Sequence, residues 1–198
     1  MDMKPFFSNG VSSNIYLVEG KKILLIDAGM DPVDLKNVDI LVLTHSHFDH
    51  CAMAKEIQDK TGCDVWMSAE EAEFFESNRE DASAAKYFDF DVPLDFRISK
   101  RLKDGDIIDL GGTKLKVFVV PGHTPGGLAL YDADSKTLFS GDTVFSAGYG
   151  RYDLMGGDYS ALKDSIARLA KLDVKELYPG HGPAKKSGVN VYLSSIHP

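Results

Sequence analysis

The chain has 198 residues, 43% of them hydrophobic and 26% charged, which is long enough to bury a core without disulfides and too apolar for a disordered chain. Twenty-two basic residues against thirty acidic ones leave a net charge of −8, an unfavourable balance for a nucleic-acid or anionic-membrane surface. No stretch reaches the ~18 apolar residues of a membrane span, and Met1 to Gly20 shows no basic flank followed by an apolar run, so the cytoplasm is the default expectation.

In chain order, Ser12 to Glu19 alternates and is rich in β-formers, and Gly20-Lys21 turns it back into Ile23 to Asp27, a hairpin partner. Asp39 to Thr44 is a continuous apolar run, as expected of a strand buried on both faces. Cys51 to Thr61 reads as a helix stopped at Gly62, and Val65 to Met67 as a short strand. Ala69 to Glu80 reads as a helix with Ser68 as its N-cap and acids in its first turn. Asp81 to Lys103 is the least legible stretch. Ala69 to Asp95 holds nine acids against two bases, most of the chain's negative excess, and the aromatic residues Tyr87, Phe88 and Phe90. That segment reads either as a cap over a pocket or as helix with its own aromatic core.

After it the character changes. Ile107-Ile108, Leu115 to Val120, Leu128 to Tyr131 and Thr137 to Phe139 are short strands separated by Gly or Asp turns. Tyr159 to Leu172 is an amphipathic helix with Leu162, Ile166 and Leu169 on one face, and Glu176 to Tyr178 is a last strand. The layout predicts a layered α/β fold with a mostly antiparallel second half. Cys51 and Cys63 form no C-x-x-C pair and fit a reducing compartment, each as a small buried hydrophobe.

Three of the six histidines fall within six residues, His45-Ser46-His47-Phe48-Asp49-His50. At this composition such an H-x-H-x-D-H run arises by accident in roughly six chains in ten thousand. Imidazole and carboxylate are ligands for zinc and similar ions, and the run lies between a buried strand and a helix, where α/β sites gather. The plain alternative, a polar surface loop, has no use for four packed ionisable groups. His123 in Pro121-Gly122-His123-Thr124-Pro125, Asp142 in Ser140-Gly141-Asp142-Thr143 and His181 in Pro179-Gly180-His181-Gly182 each follow a predicted strand directly, with glycine beside them. His197 stands apart and reads as solvated. Seven candidate ligands, His45, His47, Asp49, His50, His123, Asp142 and His181, are too many for one tetrahedral ion. They suit two divalent ions ~3.5–4 Å apart sharing one bridging carboxylate.

These residues resemble the metallo-β-lactamase superfamily, from Ile26-Asp27-Ala28-Gly29 through Thr44 to His50, Pro121-Gly122-His123-Thr124 and Gly141-Asp142-Thr143 to Pro179-Gly180-His181-Gly182. The resemblance implies a four-layer αββα sandwich of two mixed β-sheets flanked by helices. It implies one metallo-hydrolase domain over 1–198, with a helical acidic insertion at about 69–103. Within the superfamily, Gly141-Asp142-Thr143-Val144-Phe145 followed by Gly148-Tyr149-Gly150-Arg151-Tyr152-Asp153-Leu154 is similar to the short, single-domain glyoxalase II-like thioester hydrolases. That likeness assigns His45, His47 and His123 to one ion, Asp49, His50 and His181 to the other, and Asp142 to both. It makes Arg151 and Tyr152 candidate substrate contacts, with a surface ion pair as the alternative for Arg151. It makes Asp27, with Thr44, a candidate partner of a ligating histidine. True β-lactamases of the superfamily carry cysteine in the second site, which this chain lacks.

The expected activity is hydrolysis of an acyl thioester or ester, a small-molecule substrate, by a hydroxide bridging two ions, zinc first and iron or manganese after it. Asp49 or Asp142 relays the proton. The nearest rival is a mononuclear iron persulfide dioxygenase using His45, His123 and Asp142, and a lactonase is the next. No nucleic acid or membrane partner is expected, and the oligomeric state is open.

Overall fold

The computed structural model describes residues 1–8 and 10–196, so the expectation for His197 lies outside the described residues. Eleven strands are seen among these residues, in two sheets. The first has six strands in chain order: β1 (Asp2–Phe6), β2 (Ile15–Glu19), β3 (Leu24–Ile26), β4 (Ile40–Val42), β5 (Asp64–Ser68) and β6 (Ile98–Leu102). β1, β2 and β3 pair antiparallel, while β3 to β6 run parallel. The second sheet is ordered β11 (Glu176–Pro179), β10 (Thr137–Gly141), β9 (Leu128–Asp132), β8 (Lys114–Val119), β7 (Ile107–Asp109). It is antiparallel except for β10 with β11.

The period-2 alternation of the strands sorts their side chains into three cores. Tyr16, Val18, Leu24, Ile26, Ile40 and Val42 point toward the second sheet and meet Val117, Leu128, Leu130 and Phe139. Leu17, Leu25 and Leu41 point the other way, onto the helices α1 (Phe48–Cys51), α2 (Ala54–Thr61), α3 (Ala69–Ser77) and α4 (Arg79–Ser83). Phe118, Ala129, Tyr131 and Leu138 pack on the outer face of the second sheet, against α5 (Tyr159–Leu169) and α6 (Val189–Ser195). Each fully buried apolar side chain in these layers contributes about 1.5–3 kcal/mol. The result is the αββα sandwich of two mixed sheets that was expected.

Several elements differ from the sequence reading. The helix predicted over Cys51 to Thr61 is two pieces, one beginning directly after His47; the second ends at Gly62, whose φ of 72° supplies the left-handed cap. The helix predicted over Ala69 to Glu80 starts at Ser68, whose hydroxyl accepts from Glu71 N, but breaks at Asn78. Asn78 is extended and caps α4 in turn. The segment at about 69–103 is not helical throughout, because its end is β6, hydrogen-bonded in parallel to β5. Parallel neighbours require a crossover connection, and α3, α4 and a single 3-10 turn at Ala85–Phe88 form it.

Candidate metal centre

The candidate ligands come from the C-terminal ends of four strands that finish at the same edge of the sandwich. β4 delivers His45 to His50, β8 His123, β10 Asp142 and β11 His181. All seven predicted ligands meet there. His45 Nε2, His47 Nδ1 and His123 Nε2 lie 2.9–3.2 Å from one another. His181 Nε2 lies 2.9 Å from Asp49 Oδ2 and 3.3 Å from His50 Nε2. Asp142 stands between the two groups, with Oδ1 3.3 Å from His50 Nε2 and Oδ2 3.7 Å from His123 Nε2. The triads His45–His47–His123, His45–His50–Asp142 and Asp49–His50–His181 each bring three donor atoms within 4.8 Å.

Hydrogen bonding fixes which ring nitrogens face inward. His123 Nδ1 is 2.6 Å from the carbonyl oxygen of Arg151, which only accepts, so Nδ1 carries the hydrogen and Nε2 presents a lone pair. His50 Nδ1 is 2.9 Å from Asp27 Oδ2 in the same sense. Buried nitrogens that turn lone pairs on one another repel unless a cation lies between them. For Zn–N bonds of about 2.0–2.1 Å, tetrahedral ligands stand about 3.3–3.4 Å apart, close to the spacing seen. Asp142 Oδ1 is buried and makes no hydrogen bond among the described residues. These donors fit divalent metal.

The electrostatics follow from burial and charge. Burial drives His45 well below its ordinary value and His47 down to about 3, so both stay neutral and able to ligate. Burial opposes charge on His50 as well, but Asp27, Asp142 and Asp49 outweigh it and raise its pKa well above normal. Burial alone would raise Asp142 and Asp49; His50 and the other histidines reverse this and hold both carboxylates ionised.

Asp27 and Thr44 lie directly behind the ligands. Asp27 takes the left-handed conformation, φ 61°, which its short side chain tolerates better than most. Its carboxylate accepts from Thr44 N at 2.7 Å and Thr44 Oγ1 at 2.9 Å as well as from His50. Thr44 Oγ1 in turn stands 3.1 Å from His45 Nδ1.

A cleft of about 370 Å³ opens over the cluster. Arg151 lines it, but its Nε and Nη2 donate to the two oxygens of Asp153 at 2.8 and 2.9 Å. Tyr152 is not among the lining residues; its ring packs on Tyr159, 5.0 Å between centroids. Tyr149, held by a bridge to Val144, lines the cleft instead. Phe88 from the acidic segment also lines it, whereas Phe90 stacks on Phe48.

Two sets of supporting residues escaped the sequence reading. Glu71, wholly buried on α3, accepts from Ser46 N and Oγ through Oε1 and from Gly126 N through Oε2. It thereby ties the His45–His47 loop to the His123 loop. The signal was Ser68 followed three residues later by Glu71, the spacing of a capping box, but here the carboxylate leaves its own helix. Asn14 Nδ2 donates to Pro179 O and Gly182 O across 165 and 168 residues, and pins the His181 loop to β2.

Comparison with known proteins agrees with this geometry. Residues 8–181 match the family model described as the metallo-beta-lactamase superfamily. A probable metallo-hydrolase of Methanocaldococcus jannaschii is 30% identical over 190 residues, 87% of this chain and 89% of that protein. A hydroxyacylglutathione hydrolase of Haemophilus influenzae is 34% identical over 157 residues, 77% of this chain and 72% of that protein. Among solved structures, a protein in a di-iron-bound form superposes with a TM-score of 0.81 at 31% identity, over 95% of this chain and 96% of that one.

Proposed function

This chain belongs to the metallo-β-lactamase superfamily of metal-dependent hydrolases, and from that premise we propose that it hydrolyses an acyl thioester at two divalent ions, zinc foremost, with iron or manganese as substitutes. His45, His47 and His123 would hold one ion, Asp49, His50 and His181 the other, and Asp142 both. The observation that carries this reading is the convergence of seven donor residues, in two groups joined by Asp142, beneath one cleft that five of them line. When bound, such ions supply a hydroxide at neutral pH and a Lewis acid for the carbonyl oxygen.

The protein's own part is positioning and proton handling. The Arg151 carbonyl fixes the ring of His123, and Asp27 fixes that of His50, so their Nε2 atoms need no reorganisation. Asp49 and Asp142 stay ionised and stand within 3.5 Å of His181 Nε2, so either carboxylate is able to take the proton that a nucleophilic water releases and pass it to the departing thiolate. Phe48, Phe88 and Phe145 wall the cleft and limit water there. No serine or cysteine nucleophile is needed. The homologue named as a hydroxyacylglutathione hydrolase supports the thioester assignment.

The experiment is elemental analysis of protein purified without added metal, followed by a thioester panel that also contains lactones. About two equivalents per chain, with thioester turnover abolished by a chelator, is the expected result. About one equivalent of iron, with oxygen uptake on a persulfide, would replace this reading with the mononuclear dioxygenase.

A further inference from the structure

The walls of the cleft are aromatic and aliphatic beyond the ligand cluster: Val11, Phe88, Phe145, Tyr149 and Leu154 line it together with Arg151. Arg151 is the one Lys or Arg among its described lining residues, and it is doubly engaged. Its Nε and Nη2 donate to both carboxylate oxygens of Asp153, and its guanidinium lies over the Phe88 ring, 5.8 Å from the centroid. A bidentate pair of this kind is oriented and charge-matched, so it offers an incoming anion little. The segment that carries Ala84 and Phe88 into the cleft adds nine acids against two bases, a field that disfavours a negatively charged arm.

Resting on the thioester reading above, the geometry points to a substrate whose thiol and acyl arms are uncharged and apolar, with Phe88 and the Arg151–Asp153 pair as the residues that set this preference. A tripeptide thiol such as glutathione brings two carboxylates, and among the described lining residues no Lys or Arg other than the paired Arg151 is there to receive them. An alkyl or aryl arm instead gains contact with the Phe88, Phe145 and Tyr149 rings. A volume of about 370 Å³ lies within the range of small-ligand sites.

The test uses two inert thioethers, S-hexylglutathione and S-hexyl-N-acetylcysteamine, titrated calorimetrically into the metal-loaded protein. They share the hexyl arm and differ in charge. The neutral probe is expected to bind about tenfold more tightly. Phe88→Ala, at a side chain that is already partly exposed, should weaken the neutral probe about fivefold. Asp153→Asn releases the guanidinium and should shift the ratio toward the glutathione probe by about threefold or more. Equal or tighter binding of S-hexylglutathione to the unaltered protein, or a ratio that Asp153→Asn leaves unchanged, would overturn the assignment. Because thioethers are not cleaved, the outcome is separable from the reaction. A protein that shows the preference yet turns over no thioester refutes the chemistry and supports the specificity.

Discussion

The carboxylate of Asp27 lies 2.9 Å from Nδ1 of His50, and both side chains are sealed from water. One carboxylate thus sets the tautomer of a candidate ligand while holding Thr44 through two further hydrogen bonds. Removing such a partner typically lowers metal affinity 10–100-fold. Asp27→Asn is therefore expected to reduce affinity at the Asp49–His50–His181 group by about that factor, while the His45–His47–His123 group retains its ion. Competition with a chromogenic chelator reads the two affinities. Unchanged affinities would contradict the role given to Asp27.

Glu71 makes a second prediction. It is the shared acceptor between the loops of His45–His47 and of His123. Glu71→Ala strands two buried backbone donors, Ser46 N and Gly126 N, at about 1–3 kcal/mol for each unsatisfied group, while Ser46 Oγ keeps the Ala82 carbonyl as an acceptor. The variant should melt well below the parent and lose metal first from the three-histidine group. Glu71→Gln keeps one acceptor oxygen and should recover part of both. A destabilised Glu71→Ala variant with full metal content would reduce Glu71 to a fold-supporting residue.

Gly180 is tested by a single methyl group. A Cβ there would stand 2.0 Å from Asp142 Oδ1 and 2.8 Å from His50 Cε1. Gly180→Ala must push the Asp142 carboxylate aside, and a displacement near 1 Å in a site of this kind costs about 10²-fold in rate. The far-ultraviolet circular dichroism should be unchanged, since Gly180 lies beyond the end of β11. Wild-type turnover would exclude the placement of Asp142 between the two groups.

The acid side of the stability profile should report His45 and His47. Burial lowers both, His47 to about 3, so the unfolded chain binds more protons than the folded one. Their contribution is present above the unfolded value near 6.5 and is lost as pH falls toward about 3. His50 is shifted upward and acts in the opposite sense: its contribution is present below 6.5 and lost as pH rises through its folded value. In chelator-treated protein, two lowered histidines against one raised predict a urea midpoint that falls between pH 6.5 and 4.5, above the range where Asp49 and Asp142 titrate. His47→Asn should flatten that slope. A midpoint independent of pH in this window would count against the buried neutral cluster.

The two thiols give a simpler measurement. Cys51 is buried against Ser46 O at 3.3 Å, and burial raises its pKa well above normal; burial raises Cys63 as well. Thiolate is the reactive form. Neither cysteine should be alkylated by iodoacetamide in the native protein at pH 8, and both should react in urea. Rapid labelling of native Cys51 would place it nearer solvent than the ligand loop behind which it sits.

What was legible in the sequence was whatever repeats on a short period or concentrates chemistry. β2, β4, β8 and β10 alternate or run apolar because they are interior strands, and the H-x-H-x-D-H run needs no partner to be noticed. β1 and β6 were missed because they are edge strands: Lys4-Pro5 interrupts one, and Ser99-Lys100-Arg101 makes the other polar. α6 is short and follows directly on Gly188. Glu71 was hidden because an acid in a first turn already has an explanation in the helix dipole. Tyr152 and Tyr149 were exchanged because which tyrosine faces the cleft depends on the Val144–Tyr149 bridge, a tertiary fact without sequence periodicity.

The distribution of the ligands along the chain also orders events during synthesis. His50 and His181 are 131 residues apart, so the H-x-H-x-D-H run leaves the ribosome with its partners still untranslated. At about 5–20 residues per second, that interval is roughly ten seconds. Within it His123 follows His50 after 73 residues and Asp142 after 92, so His181 is the last of the candidate ligands to appear. An ion captured before His181 appears would meet an incomplete ligand set. The complete seven-residue set forms only when the strand before His181 docks beside β10, so a paired site, and any choice of metal it makes, would belong to the finished fold.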